Sequence, residues 1–452
     1  MTSDRTRFDA GTRVAAAAVL GAGLALVAFR WAAGGGVADL GGWESGLRSV
    51  GRLTGLLGSV LLLAQVVGMA RVPVLERAFG QDELARLHRL TGFTSFNLVI
   101  AHLVLITWGY AAGSVVGVPA AFWSLTTDYP GVLLAVAGTV CLVLSAVTSV
   151  KAARRKIRYE SWHLLHLYAY LGVGLALPHQ LWTGQEFLAS PVITAVWWVV
   201  WGLVAAVVLW WRVGVPVWRN LRHRLRVVAV VPEGDRVYSV HLGGRALDRL
   251  PVQAGQFLGW RFLGRPGWTR GNPYSLSAAP TGRGLRITVK ELGDNSGRTA
   301  SLVPGTRVLF EGPFGRLTGR ARSRRKVALV GAGVGITPLR ALAEGLAYAP
   351  GEAVVLHRFT DRPLFAAEFD VLARERGLRV VPLGGRRRGP DSWLGEGGPP
   401  WDDVTALRAL VPDIAEHDVY VCGPQDWAAS VRRSAEAAGV PASRVHLENF
   451  RW

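Results

Sequence analysis

The chain has 452 residues, which at ~150 residues per domain implies about three units. Half of the residues are hydrophobic, only 18% are charged and the mean hydropathy is +0.26, so part of the chain is expected to lie in a membrane. The net charge of +19 would ordinarily point to nucleic acid, but 18 Trp and long apolar runs argue against it, while two cysteines, Cys141 and Cys422, exclude a disulfide framework, a four-cysteine zinc site and a cysteine-held iron–sulfur cluster.

Six apolar segments occupy the first half: Val14–Ala33, Leu53–Ala70, Gly92–Ala112, Gly131–Val150, Ser161–His179 and Val192–Trp211. Most approach the ~20 residues that a helix needs to cross a bilayer. The first is followed by five more and reads as a span, not a cleaved signal. Basic residues fall on alternate connections. Arg5, Arg7 and Arg13 precede the first span; Arg71, Arg77, Arg86 and Arg89 follow the second; Lys151, Arg154, Arg155, Lys156 and Arg158 follow the fourth; Arg212, Arg219, Arg222, Arg224 and Arg226 follow the sixth. The positive-inside rule then predicts a multi-pass cell-membrane protein with both termini cytoplasmic.

Histidines stand inside two of these spans, where ionisable groups are costly and mark function. His88 and His102 lie in the third span, 14 residues apart, about 21 Å along an ideal helix and nearly on one face. His166 and His179 lie in the fifth, 13 residues apart, about 20 Å along the axis. Both spans run the same way, so His88 sits level with His166 and His102 with His179. Two stacked bis-imidazole sites result, for which haem is the natural occupant. Thirteen residues turn a straight helix by only ~220°, so Gly172, Gly174 or Pro178 must bend the fifth span to aim both rings. A lone histidine would more simply bond across helices. His163 is left as interfacial or near a haem propionate, and Arg52 as a helix-end arginine or a contact of the outer site.

Beyond Arg226 the periodicity shortens to six β-rich runs, Arg226–Val231, Arg236–Leu242, Gln256–Phe262, Tyr274–Ser277, Leu285–Lys290 and Arg307–Glu311, which suggest a small antiparallel barrel. From Lys326 strand, glycine-rich loop and helix alternate, as in a parallel α/β domain. Gly384–Pro400 reads as a mobile Gly/Pro/Arg-rich loop.

Within these runs, Gly271-Asn272-Pro273-Tyr274-Ser275-Leu276-Ser277 resembles the flavin motif of ferredoxin-reductase-type dehydrogenases. Val289-Lys290-Glu291-Leu292-Gly293-Asp294-Asn295-Ser296-Gly297 resembles the second flavin segment, whose turn offers backbone N–H groups to a pyrophosphate. Glu311-Gly312-Pro313-Phe314-Gly315 resembles the segment that closes the barrel onto the next domain. Gly331, Gly333 and Gly335 form a GxGxG loop after the strand Val327–Val330, with Thr337 suited to the N-cap and Pro338 to the first helical position. Cys422-Gly423-Pro424 resembles a nicotinamide-contacting motif.

Together these features make the chain, from Arg48 onward, resemble the ferric reductase and NADPH oxidase superfamily. The resemblance implies a multidomain membrane protein: a six-helix transmembrane haem bundle (1–215), an antiparallel β-barrel FAD domain (222–320) and an α/β nucleotide-binding domain (325–452). It implies FAD, two b-type haems on His88, His102, His166 and His179, and NAD(P)H as cofactors. Tyr274 would pack on the isoalloxazine and Ser275 approach its N5 edge. Asn272 stands where Arg or His is usual, with Arg270 as substitute. Cys422 would face the nicotinamide, and Phe450 or Trp452 would stack on the flavin. Arg358 and Arg362 would meet a 2′-phosphate, favouring NADPH. Electrons would pass from cytoplasmic NAD(P)H through FAD, the inner haem and the outer haem to an outer-face ferric chelate or dioxygen. The alternative is a relay to a partner redox protein or quinone. A transporter is disfavoured, since no broken-helix ion site is visible.

Overall fold

The computed structural model describes residues 2–150, 159–264, 267–292, 296–398 and 400–448. The basic run at 151–158, the turn residues 293–295, and Asn449, Phe450 and Trp452 lie outside them. The chain divides into two compact units, Met1–Gly214 and Val215–Trp452.

The first unit is helical: α1 Thr2–Trp31, α2 Trp43–Gly68, α3 Pro73–Phe79, α4 Gln81–Tyr110, α5 Val118–Asp128, α6 Val132–Ser149, α7 Tyr159–Leu175, α8 Leu177–Trp182, α9 Gln185–Leu188 and α10 Pro191–Leu209. Local chemistry sets several ends. Gly80, at φ 78°, stops α3. Pro191 opens α10 behind Ser190, whose hydroxyl accepts the Ile193 N–H. Among the described residues, five helical stretches are long and apolar enough to cross a bilayer: Arg7–Gly36, Trp43–Gly68, Glu83–Tyr110, Val132–Ser149 and Pro191–His223. The expected fifth span is instead two pieces. Its 17-residue α7 gives about 25 Å of helix, and α8 restarts at Leu177 after Ala176 with Pro178 in its first turn, where a missing N–H costs nothing. The loops hold the short helices α3 and α5, which their modest length hid from a search for spans.

Two helix pairs dominate the packing, α2 with α4 and α6 with α7. Large apolar side chains such as Phe29, Phe93, Leu133, Trp198 and Leu203 point outward and are exposed, as lipid-facing residues would be. Arg13 pairs with Glu83 at 2.7 Å and Arg77 with Asp9 at 3.1 Å, tying α1 to α3 and α4 at one end. At the other end Arg52 joins Asp39 at 2.5 Å, Gln185 at 2.8 Å and Glu186 at 3.5 Å. Arg52 is thus a tie between three segments, not a free helix-end cation.

The second unit begins with α11 Val215–His223 and six antiparallel strands: β1 Arg226–Gly234, β2 Val237–Gly243, β3 Phe257–Phe262, β4 Asn272–Ser275, β5 Leu285–Lys290 and β6 Val308–Phe314. They form two three-stranded sheets, ordered β1-β2-β5 and β4-β3-β6, closed over Leu258, Trp260, Leu276 and Ile287, all fully buried. The remainder is a five-stranded parallel sheet ordered β11-β10-β7-β8-β9, from β7 Lys326–Ala332, β8 Ala353–Arg358, β9 Arg379–Leu383, β10 His417–Cys422 and β11 Val445–Glu448. Helices α12 Ile336–Gly345 and α13 Ala366–Arg376 cover one face with Leu339, Leu342 and Phe369. Helices α14 Asp403–Leu410 and α15 Gln425–Ala437 cover the other with Leu407, Trp427 and Val431. Near-continuous apolar strands follow from burial on both faces. The stretch expected as a mobile loop is packed instead. Trp393 and Leu394 are fully buried, and Asp403 accepts from Ser392 Oγ at 2.5 Å and Trp393 N at 2.9 Å.

Candidate functional site

The four membrane histidines meet in pairs. The rings of His88 (α4) and His166 (α7) lie 5.8 Å apart at 85°, and those of His102 (α4) and His179 (α8) 6.4 Å apart at 38°. A metal bound at ~2 Å by two opposed imidazoles separates their ring centres by roughly 6 Å, so both gaps fit one such ion each. The break after Leu175 lets His179 face His102, the reorientation that a straight helix forbids.

The outer parts of each ring are also specified. His102 Nδ1 lies 2.7 Å from the Gly51 carbonyl, and His166 Nδ1 lies 3.0 Å from Ser145 Oγ and 3.3 Å from Ser149 Oγ. His88 Nδ1 and His179 Nδ1 are buried without a partner. Glycines make the approach possible. A Cβ on Gly55 would stand 2.6 Å from His102 Nδ1, and one on Gly51 2.9 Å from Ile106. Gly131, at φ 83°, passes so close to His179 that a Cβ would stand 2.7 Å from its backbone nitrogen. Gly138 and Gly172 bring α6 and α7 together, each facing the other's carbonyl. Gly51, Gly55 and Gly58 recur at the spacing of a close helix seam, a readable signal that attention to the histidines alone overlooks. His163 lies beside Trp162, at 6.5 Å.

In the barrel, β4 carries the flavin-like motif, with Asn272, Pro273, Tyr274 and Ser275 paired to Trp260, Gly259, Leu258 and Phe257. Trp260 Nε1 donates to the Tyr274 carbonyl at 2.9 Å, and burial pushes the Tyr274 phenol up to about 12, so it stays neutral. Ser275 Oγ is buried with no hydrogen-bond partner. A buried hydroxyl left so costs ~1–3 kcal/mol, which a ligand atom would recover. Asn272 Nδ2 reaches only the Arg270 carbonyl, at 3.4 Å. Leu276 and Val289 point into the barrel core; the Leu276 N–H donates to the Gln256 carbonyl at 3.0 Å and Val289 pairs with Tyr238 of β2, so both serve the barrel itself. The Ser277 hydroxyl accepts from Thr288 and Arg286 and serves the barrel itself. Lys290 and Gly297 are exposed on the neighbouring edge.

The glycine loop ends β7. Gly331 pairs with Cys422 across the sheet, and a Cβ on Gly335 would overlap the Cys422 carbonyl, so the GxGxG and Cys-Gly-Pro motifs share one edge. A Cβ on Gly423 would stand 2.6 Å from the Trp427 ring, and Pro424 leads into α15. The helix starts two residues earlier than expected. The turn Gly333–Gly335 runs straight into α12, making Gly335 the N-cap; Thr337 is inside the helix, donating to the Val334 carbonyl at 2.9 Å, and Pro338 is its third residue. Cys422 is fully buried, and burial with the Glu448 carboxylate behind it pushes its thiol well above the usual range. Glu448 sits opposite Cys422 in the β10–β11 register, a proximity that no local spacing announces. Arg358 is half-buried, donates to the Gly385 carbonyl at 3.4 Å, and has its pKa lowered by burial and the nearby Arg387 charge. Arg362 is exposed.

A family profile described as "Ferric reductase like transmembrane component" matches residues 54–177. The flavohemoprotein of Xylella fastidiosa (strain 9a5c) is 32% identical over 235 residues, 49% of this chain and 56% of the relative. Ferredoxin–NADP reductase B of Sorangium cellulosum (strain So ce56) is 30% identical over 243 residues, 50% of this chain and 96% of the relative. Among solved structures, the FAD/NAD-binding domain of nitric oxide dioxygenase from Vibrio cholerae O1 biovar El Tor aligns at 26% identity and TM-score 0.39, over 51% of this chain and 99% of that one. The chain spans little more than half the length of the flavohemoprotein it matches. It joins a ferric reductase-like transmembrane component to a ferredoxin-reductase-type module, the combination that marks the fused ferric reductase superfamily.

Proposed function

We propose that this protein carries electrons across a membrane, from cytoplasmic NAD(P)H to an acceptor on the outer face, a ferric chelate or dioxygen. The observation that carries the reading is the pair of facing imidazoles at 5.8 Å and 6.4 Å in helices of a chain that also holds a reductase fold. Two b-type haems and FAD, when bound, supply the exchange between a two-electron hydride donor and one-electron carriers. His88 with His166, and His102 with His179, would hold the inner and outer haem. With both histidines of each pair committed to holding a haem, the acceptor would not need to bind the metal directly.

The remaining residues position and exclude. Residues 222–320 would hold the flavin against Tyr274 and Ser275, with Arg270 nearby. Residues 325–452 would hold the nicotinamide nucleotide over Gly331, Gly333 and Gly335, between Cys422 and the flavin, with Arg358 toward a 2′-phosphate. Phe450 or Trp452 would cover the flavin between turnovers. Six membrane segments, the fifth in two pieces, would set both termini on the cytoplasmic side, as the basic connections favour.

Sealed vesicles with the reductase side outward test the route. Added NADPH should reduce a ferric chelate or form superoxide inside, and dithionite-reduced minus oxidised spectra should show two b-type haems per flavin. His102→Ala should stop delivery to the far side and leave NAD(P)H-to-FAD reduction intact. A haem-free protein, or far-side delivery that survives this change, sinks the reading; quinone reduction alone would assign the relay role instead.

A further inference from the structure

We propose that Ser145 and Ser149 on α6 fix the tautomer of His166 and thereby set the reduction potential of the inner haem. This rests on the haem reading above. Ser149 Oγ donates its one proton to the Ser145 carbonyl, at 2.7 Å. The same oxygen receives the indole N–H of Trp162 at 3.2 Å, and an indole nitrogen can only donate. We assign the hydrogen to His166 Nδ1, the arrangement in which Ser149 Oγ at 3.3 Å and Ser145 Oγ at 3.0 Å both accept from the ring. With the proton on Nδ1, the lone pair of Nε2 is left free for a metal. Trp162 stacks on the same ring at 5.2 Å and 22°, which holds its rotation.

The four imidazoles are not treated alike. His102 has its Nδ1 hydrogen directed at the Gly51 carbonyl, which only accepts. His88 and His179 have no partner at Nδ1. Each pair thus joins one held ring to one unheld ring, and only the inner pair is held by side chains. A ligand that gives its N–H to an acceptor becomes more basic and favours the oxidised metal. Removing the two hydroxyls should therefore raise the inner midpoint and leave the outer one in place.

The test is an optical redox titration of the full-length protein in detergent or nanodiscs, with haem counted by pyridine haemochromogen. Ser145→Ala/Ser149→Ala should keep two haems and move one midpoint upward. The ratio of reduced to oxidised haem at the wild-type midpoint should rise by roughly threefold to tenfold, the worth of about one hydrogen bond. Trp162→Phe, which keeps the stack and removes the N–H, should move the same midpoint less. Ser149→Thr, which keeps the hydroxyl, should restore the wild-type value in the Ser145 background. If the double variant does not accumulate, Ser149→Ala alone carries the test. Two unmoved midpoints with two haems bound overturn this proposal and leave the haem reading standing. A wild-type protein without haem overturns the reading beneath it.

Discussion

Ser275 is a buried hydroxyl without a hydrogen-bond partner among the described residues, at the centre of the first of the two flavin-like motifs. Replacing it by alanine removes an unsatisfied group, so the flavin-free protein should not lose stability. With flavin bound, the same change should slow hydride transfer at least about tenfold, the loss of a hydrogen bond near 1.4 kcal/mol. Stopped-flow bleaching of the flavin by NADPH reads this directly, and an unchanged rate removes Ser275 from the reaction. Motifs such as Tyr274-Ser275 and Cys422-Gly423-Pro424 are legible because their chemistry is contiguous. Glu448, Ser145 and Arg387 were not, because each gains meaning from a partner distant in sequence. Thr337 shows a subtler failure. Its type suits a cap, but glycines at 333 and 335 let the turn begin earlier.

At the scale of elements, each of the six short β-rich runs overlaps a strand, β4 starting two residues before its expected run, and β7 covers the apolar stretch Val327–Val330. Membrane helices were equally legible apart from the fifth, where proline divides the segment. The seam between α6 and α7 makes a firm prediction. A Cβ on Gly172 would stand 2.7 Å from the Gly138 carbonyl, so Gly172→Ala should force the helices apart at a cost of about 1–3 kcal/mol. A lower melting temperature, followed through the haem absorption, would register it. On β8, His357 is buried against Phe359 and Phe369 with Nε2 unpaired, and burial pulls its pKa down to about 4. The unfolded imidazole titrates near 6.5. Its neutral form is therefore favoured in the fold, stability is complete above ~6.5, and up to about 3 kcal/mol is lost as pH falls toward 4. Urea titrations at pH 7.5 and 4.5 should show that loss, and His357→Leu should shrink it.

At the scale of the whole molecule, part of the basic complement is matched in ion pairs such as Arg13–Glu83 and Arg77–Asp9, and the net +19 is the excess over all acidic residues. One network does more than neutralise charge. Glu368 on α13 accepts from Arg286 of the barrel at 2.7 Å and from Arg340 of α12 at 2.6 Å, while Arg340 also reaches the Ser277 carbonyl at 3.2 Å. Burial would raise the Glu368 pKa, but the two guanidiniums outweigh it and hold the carboxyl below its usual range. Glu368→Ala takes the carboxylate partner from the nearly buried Arg286, while Arg340 keeps Glu344, and should cost on the order of 3 kcal/mol. Unfolding followed by flavin fluorescence would measure it; a cost below ~1 kcal/mol would mean that the network is solvated in practice. This clamp was invisible in sequence because its members are up to 82 residues apart. The contrast between the two held histidines has a consequence for descent. A contact made by the Gly51 carbonyl is written in no codon, so point substitution at that position cannot delete the acceptor. The contacts of Ser145 and Ser149 each vanish with a single base change. Under the proposed haem reading, point substitution would then move the potential at the His88–His166 pair more readily than at the His102–His179 pair.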